Sequence, residues 1–178
     1  MKRIVIYFCV LALIVISISG CSSHNENGEY TVKDIHIFEK SEAWELAKAV
    51  NNNNTFSINK ICKEHPEWVD TIDPEYGVSL LTWAVGMDKY SSVKALLENG
   101  ADVDLISPYT GGTALFEACG FLWTDTMANK SPKYVKLLLE HGADPNICFE
   151  GCDKDNITVV GTSPLMESIG CGLEKPNF

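Results

Sequence analysis

Val93-Lys-Ala-Leu-Leu-Glu-Asn-Gly-Ala-Asp102 returns 42 residues later as Val135-Lys-Leu-Leu-Leu-Glu-His-Gly-Ala-Asp144, changed only at Ala95/Leu137 and Asn99/His141. Val93, Leu96 and Leu97, like Val135, Leu138 and Leu139, fall at i, i+3 and i+4, which puts one apolar stripe on a helix. Gly100 and Gly142 follow directly, where a left-handed residue ends a helix at least cost. A second element precedes each block. Gly77-Val-Ser-Leu-Leu-Thr-Trp-Ala84 and Gly111-Gly-Thr-Ala-Leu-Phe-Glu-Ala118 lie 34 residues apart, and Gly161-Thr-Ser-Pro-Leu-Met-Glu-Ser168 is a further copy. Ser79, Thr113 and Ser163 stand where a hydroxyl caps a helix, with Pro164 at the first helical position. Leu81, Leu115 and Leu165 are expected to face the neighbouring repeat, and Ala84 and Ala118 to let paired helices approach.

Two signatures recurring in a fixed order resemble the ankyrin repeat, with its period of 33, its G-x-T-P-L-H-x-A element and its V-x-L-L-L-x-x-G-A-D element. The resemblance implies an all-α solenoid of helix-turn-helix units joined by β-hairpin loops. A degenerate amino-terminal capping repeat is expected over 41–76. Ser41–Val50 reads there as a capped helix, Phe56–Lys63 as a second, and Asp70–Gly77 as the connecting hairpin. Repeats over 77–110 and 111–160 follow, and 161–178 reads as a truncated fourth. Ala118 to Val135 spans 17 residues against 9 from Ala84 to Val93, and Asp144 to Ser163 spans 19 against 11 from Asp102 to Thr113. These insertions are candidate binding loops. At the carboxyl end Pro176-Asn177-Phe178 replaces the expected last helix, so Leu165, Met166 and Ile169 are expected to lack a partner.

The amino terminus follows other rules. Lys2 and Arg3 precede an apolar run over 4–16, the pattern of a secretory signal and shorter than a spanning helix. Ile18-Ser19-Gly20-Cys21 resembles the lipobox of bacterial lipoproteins. That resemblance implies cleavage before Cys21, its lipidation and an envelope location, the outer membrane facing the periplasm if the cell is Gram-negative, since Ser22 is not Asp. An uncleaved anchor or ordinary signal cleavage are the alternatives. Residues 21–40 read as a tether, in which Tyr30–Phe38 alternates as a short extended segment set against the first repeat.

The chain has 24 acidic and 14 basic residues, a net charge of −10. That balance argues against phosphate-backbone binding and leaves open a basic protein partner, with a merely solvated acidic surface as the alternative. No nucleophile elbow, zinc-protease motif or phosphate loop occurs, so neither an enzyme nor a cofactor, metal or small-molecule substrate is expected. Cys62 reads as a core residue. Cys148 and Cys152 read as a possible disulfide, with Cys119 and Cys171 as alternative partners; two neighbouring Cys without a His at ligand spacing do not make a zinc site. The expected function is a membrane-anchored module that binds an unknown protein, with a periplasmic immunity protein neutralising a toxin as the alternative and an envelope enzyme or metal-binding protein as the more remote one. By resemblance to how ankyrin domains bind, candidate contacts are Ile106, Pro108, Tyr109 and Thr110 on a hairpin tip. Thr82, Trp83, Phe116 and Glu117 on first helices, with Phe121, Leu122 and Trp123 in the insertion, complete the set. Core packing is the alternative for Trp83, Phe116 and the insertion aromatics.

Overall fold

The computed structural model describes residues 30–120, 132–151 and 160–172. Within them seven α-helices occur: α1 (Trp44–Asn51), α2 (Thr55–Glu64), α3 (Leu80–Gly86), α4 (Tyr90–Glu98), α5 (Ala114–Cys119), α6 (Lys133–Glu140) and α7 (Pro164–Gly172). Consecutive helices pair as α1/α2, α3/α4 and α5/α6, and the first helices stack α3 on α5 and α5 on α7. The fold is therefore the helical repeat solenoid that the sequence period implies.

The caps explain where the helices begin. Ser79 Oγ accepts from the Thr82 amide at 3.1 Å, Thr113 Oγ1 from the Phe116 amide at 3.2 Å, and Ser163 Oγ from the Met166 amide at 3.3 Å. Asn54 caps α2 in the same way, through the Ser57 amide. Ser41 does not cap α1. Its hydroxyl donates to the Phe38 carbonyl at 2.7 Å, closing the turn before the helix, so α1 starts three residues later. Gly100 and Gly142 have φ values of +89° and +91°, as the helix ends require.

Burial follows the stripes in the middle of the array and departs from them at its end. Val93, Leu96, Leu97, Leu81, Leu115 and Leu138 are buried, with Ala84 and Ala118 between the paired helices. Leu139 and Leu165 are 44% and 67% exposed, because no helix among the described residues covers that side of α6 and α7.

Two interlocks join successive repeats. Asn53, in the α1–α2 turn, holds a left-handed φ of +51°, and its Oδ1 accepts from the Ser92 amide and hydroxyl in α4. Asp88, in the α3–α4 turn at φ +56°, accepts from the Tyr134 hydroxyl at 2.6 Å in α6. Short polar residues tolerate this backbone conformation, and here the side chain so displayed reads the next repeat.

The segment before α1 is not extended. Ile35–Phe38 forms a 3-10 turn capped by Asp34, and Ile35, Ile37 and Phe38 are buried against α1. Trp83 Nε1 donates to the Val32 carbonyl at 3.0 Å and the Tyr76 hydroxyl donates to the Tyr30 carbonyl. Residues 30–40 thus belong to the folded array rather than to a tether.

Candidate protein-binding edge

The connections between second and first helices are built on aspartates. Asp73 is buried, and its carboxylate accepts the amides of Glu75, Tyr76 and Val78 at 3.0, 2.8 and 2.6 Å. Satisfied in this way, a buried carboxylate organises a tight loop that ends in the antiparallel bridge Ile72–Ser79. Asp70 Oδ1 accepts from the Asp102 amide at 2.8 Å, and Asp104 Oδ1 from the Asp144 amide at 2.9 Å. Each connection is thereby tied to the next, and their carboxylates are held in a row along one edge.

Among the described residues that edge carries one sign of charge. Glu67, Asp70, Asp73 and Glu75 lie in the first connection, Asp102 and Asp104 in the second, Asp144 and Glu150 in the described part of the third. Among the described residues of these connections there is no Lys or Arg; the described lysines after position 41 (Lys48, Lys60, Lys63, Lys89, Lys94, Lys133 and Lys136) sit on helices or at their ends. Exposed Glu67 has its carboxyl held below the usual range by a backbone hydrogen bond and by neighbouring His65, which stacks on Trp68 at 3.8 Å between centroids.

Aromatic rings mark the tips. Tyr76 and Tyr109 meet edge to face at 5.4 Å, and the Tyr109 amide donates to the Gly77 carbonyl at 3.2 Å. The Glu150 amide repeats that bond to the Gly111 carbonyl at 2.8 Å. Ile106, Tyr109 and Thr110 are half-buried and Pro108 is exposed, so this tip presents mixed apolar and polar surface. Glu117 is half-buried on α5.

Other candidates are buried. Thr82 is fully enclosed, with Oγ1 at 2.9 Å from Ser79 Oγ and 3.0 Å from Ser107 Oγ, in a hydroxyl cluster that joins two connections. Trp83 is fully buried with Phe38 edge-on at 6.4 Å, so it is core and presents nothing to a partner. Phe116 is covered by Phe149, stacked at 5.5 Å. The sequence reading missed Phe149, whose only signal was a lone aromatic in a long connection. It also missed Asn53 and Asp88, whose signal was a short polar residue in each helix–helix turn.

Phe121, Leu122, Trp123, Cys152 and the lipobox with Cys21 lie outside the described residues. Cys148 is a free thiol whose Sγ lies 3.4 Å from the Asn146 carbonyl. Cys62 is buried on α2, and burial pushes its thiol pKa up. Among the described residues no three His, Cys, Asp or Glu side chains are grouped to hold a metal, and no helix is long and apolar enough to cross a membrane.

A family model described as ankyrin repeats, in three copies, matches residues 45–148. No curated protein matches the chain. Among solved structures, the crystal structure of an ankyrin repeat protein is similar at 22% identity, covering 75% of this chain and 94% of that one, with a TM-score of 0.32.

Proposed function

Because the chain belongs to the ankyrin-repeat family, we propose that it is a lipid-anchored module that holds a basic protein along the acidic edge of its array. Repeats of this family point to protein–protein interaction. The observation that carries the finer reading is the row of connections bearing Asp70, Glu75, Asp102, Asp104, Asp144 and Glu150 without a described Lys or Arg. A one-signed rim steers an oppositely charged partner and fixes its register, while the Tyr76 and Tyr109 rings supply apolar contact at low entropic cost. The protein acts by binding, without a catalytic step. Cys21 carries the lipid and places the array at the envelope surface. A basic toxin neutralised there is the narrower version, favoured by the same acidity.

The test is capture of the partner from detergent-solubilised envelopes, followed by titration with purified partner. Glu75→Lys with Glu150→Lys should weaken binding on the order of 10- to 100-fold, and raised salt should weaken the wild type in the same direction. Tyr109→Ala should weaken it further. Binding unmoved by all three changes would place the contact elsewhere. Cys21→Ser should release the protein from the membrane fraction, and unchanged association would remove the anchor from the proposal.

A further inference from the structure

The helices α4 and α6 end on the same motif. Gly100 and Gly142, at φ +89° and +91°, donate their amides to the Leu97 and Leu139 carbonyls at 3.1 Å, and Ala101 and Ala143 donate to Leu96 and Leu138 at 3.1 Å. This pairing is the left-handed cap that closes a helix with glycine. The residue before each glycine turns back on its own helix. Asn99 Nδ2 donates to the Ala95 carbonyl at 2.7 Å, and His141 Nδ1 stands 2.9 Å from the Leu137 carbonyl oxygen. Asn99 also reaches the preceding repeat, where its Nδ2 donates to Asn59 Oδ1 of α2 at 2.7 Å.

The two caps differ in chemistry. A side-chain amide followed by glycine can cyclise onto the backbone, because glycine has no Cβ to obstruct the approach; an imidazole cannot. We propose that Asn99 is a modification site, at which opening of the α4 cap lets the chain convert this residue to aspartate or isoaspartate. The Gly100 nitrogen gives its proton to solvent and bonds to Asn99 Cγ. The Cγ–Nδ2 bond breaks, Nδ2 takes a proton from solvent, and ammonia leaves a cyclic imide. Water then opens one of the two imide C–N bonds. Water is the one co-reactant, and the loss of ammonia makes the change irreversible.

The closed fold holds this reaction off. The Gly100 N–H that must become the nucleophile is engaged by Leu97, and the amide that must leave is held by Ala95 and Asn59. Ring closure needs the Gly100 nitrogen beside the Asn99 Cβ, whereas the Asn99 ψ of 10° sets it beside Asn99's own nitrogen. Conversion therefore draws on the open population of the helix end. The product does not close the same cap. A carboxylate has no hydrogen for the Ala95 carbonyl and puts negative charge at the carboxyl end of a helix, and isoaspartate lengthens the backbone before Gly100. The Asp102 amide, just beyond the cap, is bonded to Asp70 at 2.8 Å, so the tie between the first two connections depends on it. Each conversion thus records one opening of the junction between the first and second repeats and leaves it looser. The inference is independent of what the acidic edge binds.

The experiment incubates the full chain at mildly alkaline pH and follows the deamidation mass gain on the peptide that holds Asn99, since Asn27-Gly28 is a second such pair in the chain. In concentrated urea the gain sets the unrestrained rate, and in buffer it should be at least about 10-fold slower, because only the open fraction reacts. Asn59→Ala, at an exposed position, should speed the folded chain about 3- to 10-fold and leave the rate in urea unchanged. Asn99→His should abolish the gain on that peptide and keep the urea midpoint. Asn99→Asp should lower the midpoint and speed hydrogen exchange at the end of α4. Equal rates in buffer and urea would overturn the gating by the cap, as would an Asn59→Ala rate equal to that of the wild type. No gain on that peptide even in urea overturns the site, and an Asn99→Asp chain as stable as the wild type overturns its effect on the junction.

Discussion

The two ends of the described array differ in what covers them. At the amino-terminal end the 3-10 turn Ile35–Phe38 lies on α1, and the residues before it are tied by one hydrogen bond from Trp83 of the next repeat to Val32 and one from Tyr76 of the first connection to Tyr30. At the other end α7 meets α5 along one side and leaves Leu165, Met166 and Ile169 exposed. A repeat array is stabilised by nearest-neighbour interfaces, so an end unit with both faces covered and one with a face open have different stabilities although their helices share a sequence pattern. The comparison teaches that helix pattern alone does not decide how firmly a unit is held. What covers its outer face does.

The sharpest way to break the contrast is Trp83→Ala. The indole is fully buried, bonds the arm and lies edge-on to Phe38, so its loss opens a cavity at the junction of the arm with the first two repeats. The expected cost is about 3–5 kcal/mol, read as a lowered urea midpoint. Hydrogen exchange should accelerate first in α1 and the arm. A change under about 1 kcal/mol would mean the arm contributes little.

Gly111→Ala probes the carboxyl-terminal half. Gly111 has φ +67°, and an added Cβ would lie 2.7 Å from the Gly151 carbonyl oxygen and 2.7 Å from a Phe149 ring carbon. Strain and displacement together should cost about 2–3 kcal/mol, with the loss read in α7 before α1. Equal acceleration at both ends would show that the array unfolds as one unit.

Much of this was legible in the sequence, and the failures have physical causes. Caps at Ser79, Thr113 and Ser163 and stripes such as Val93, Leu96 and Leu97 act within a few residues, so spacing alone finds them. Thr82 and Trp83 stand at positions that a motif cannot sort into core or surface. Their burial is set by Ser107 and Phe38, 25 and 45 residues away in sequence. Residues Tyr30–Phe38 alternate loosely enough to read as extended, and the Asp34 cap with the burial of Ile35, Ile37 and Phe38 winds them into a turn instead. The acidic edge was visible only as a net charge, because its alignment depends on amide bonds between connections.

A smaller effect tests the interlock. Tyr134 is buried, its hydroxyl bonds Asp88, and burial first and the Asp88 carboxylate second push its pKa above the usual phenol value. A phenol whose folded pKa is raised keeps its full contribution below the unfolded pKa of roughly 10 and loses it as pH climbs beyond that value. Tyr134→Phe should cost about 1 kcal/mol at neutral pH. It should also flatten the loss of stability above about pH 10, measured by urea unfolding across pH 8 to 11. An alkaline loss as steep in the variant as in the wild type would assign that loss to other groups.

The smallest expected effect is the most direct reading of the open end. Leu165 occupies the motif position of Leu81 and Leu115, which are 3% and 1% exposed, yet it is 67% exposed itself. Leu81→Ala or Leu115→Ala removes a buried side chain and should cost about 2–5 kcal/mol. Leu165→Ala in the monomer leaves no cavity, so its cost should stay within about 0.5 kcal/mol. Urea titrations of the three variants at low protein concentration decide it, and repeating the Leu165→Ala titration at high concentration adds a second axis. Should the cost there rise toward that of Leu115→Ala, the face is being covered by association. If Leu165→Ala is instead as costly as Leu115→Ala at low concentration, that face is buried in the monomer, and the contrast between the two ends collapses.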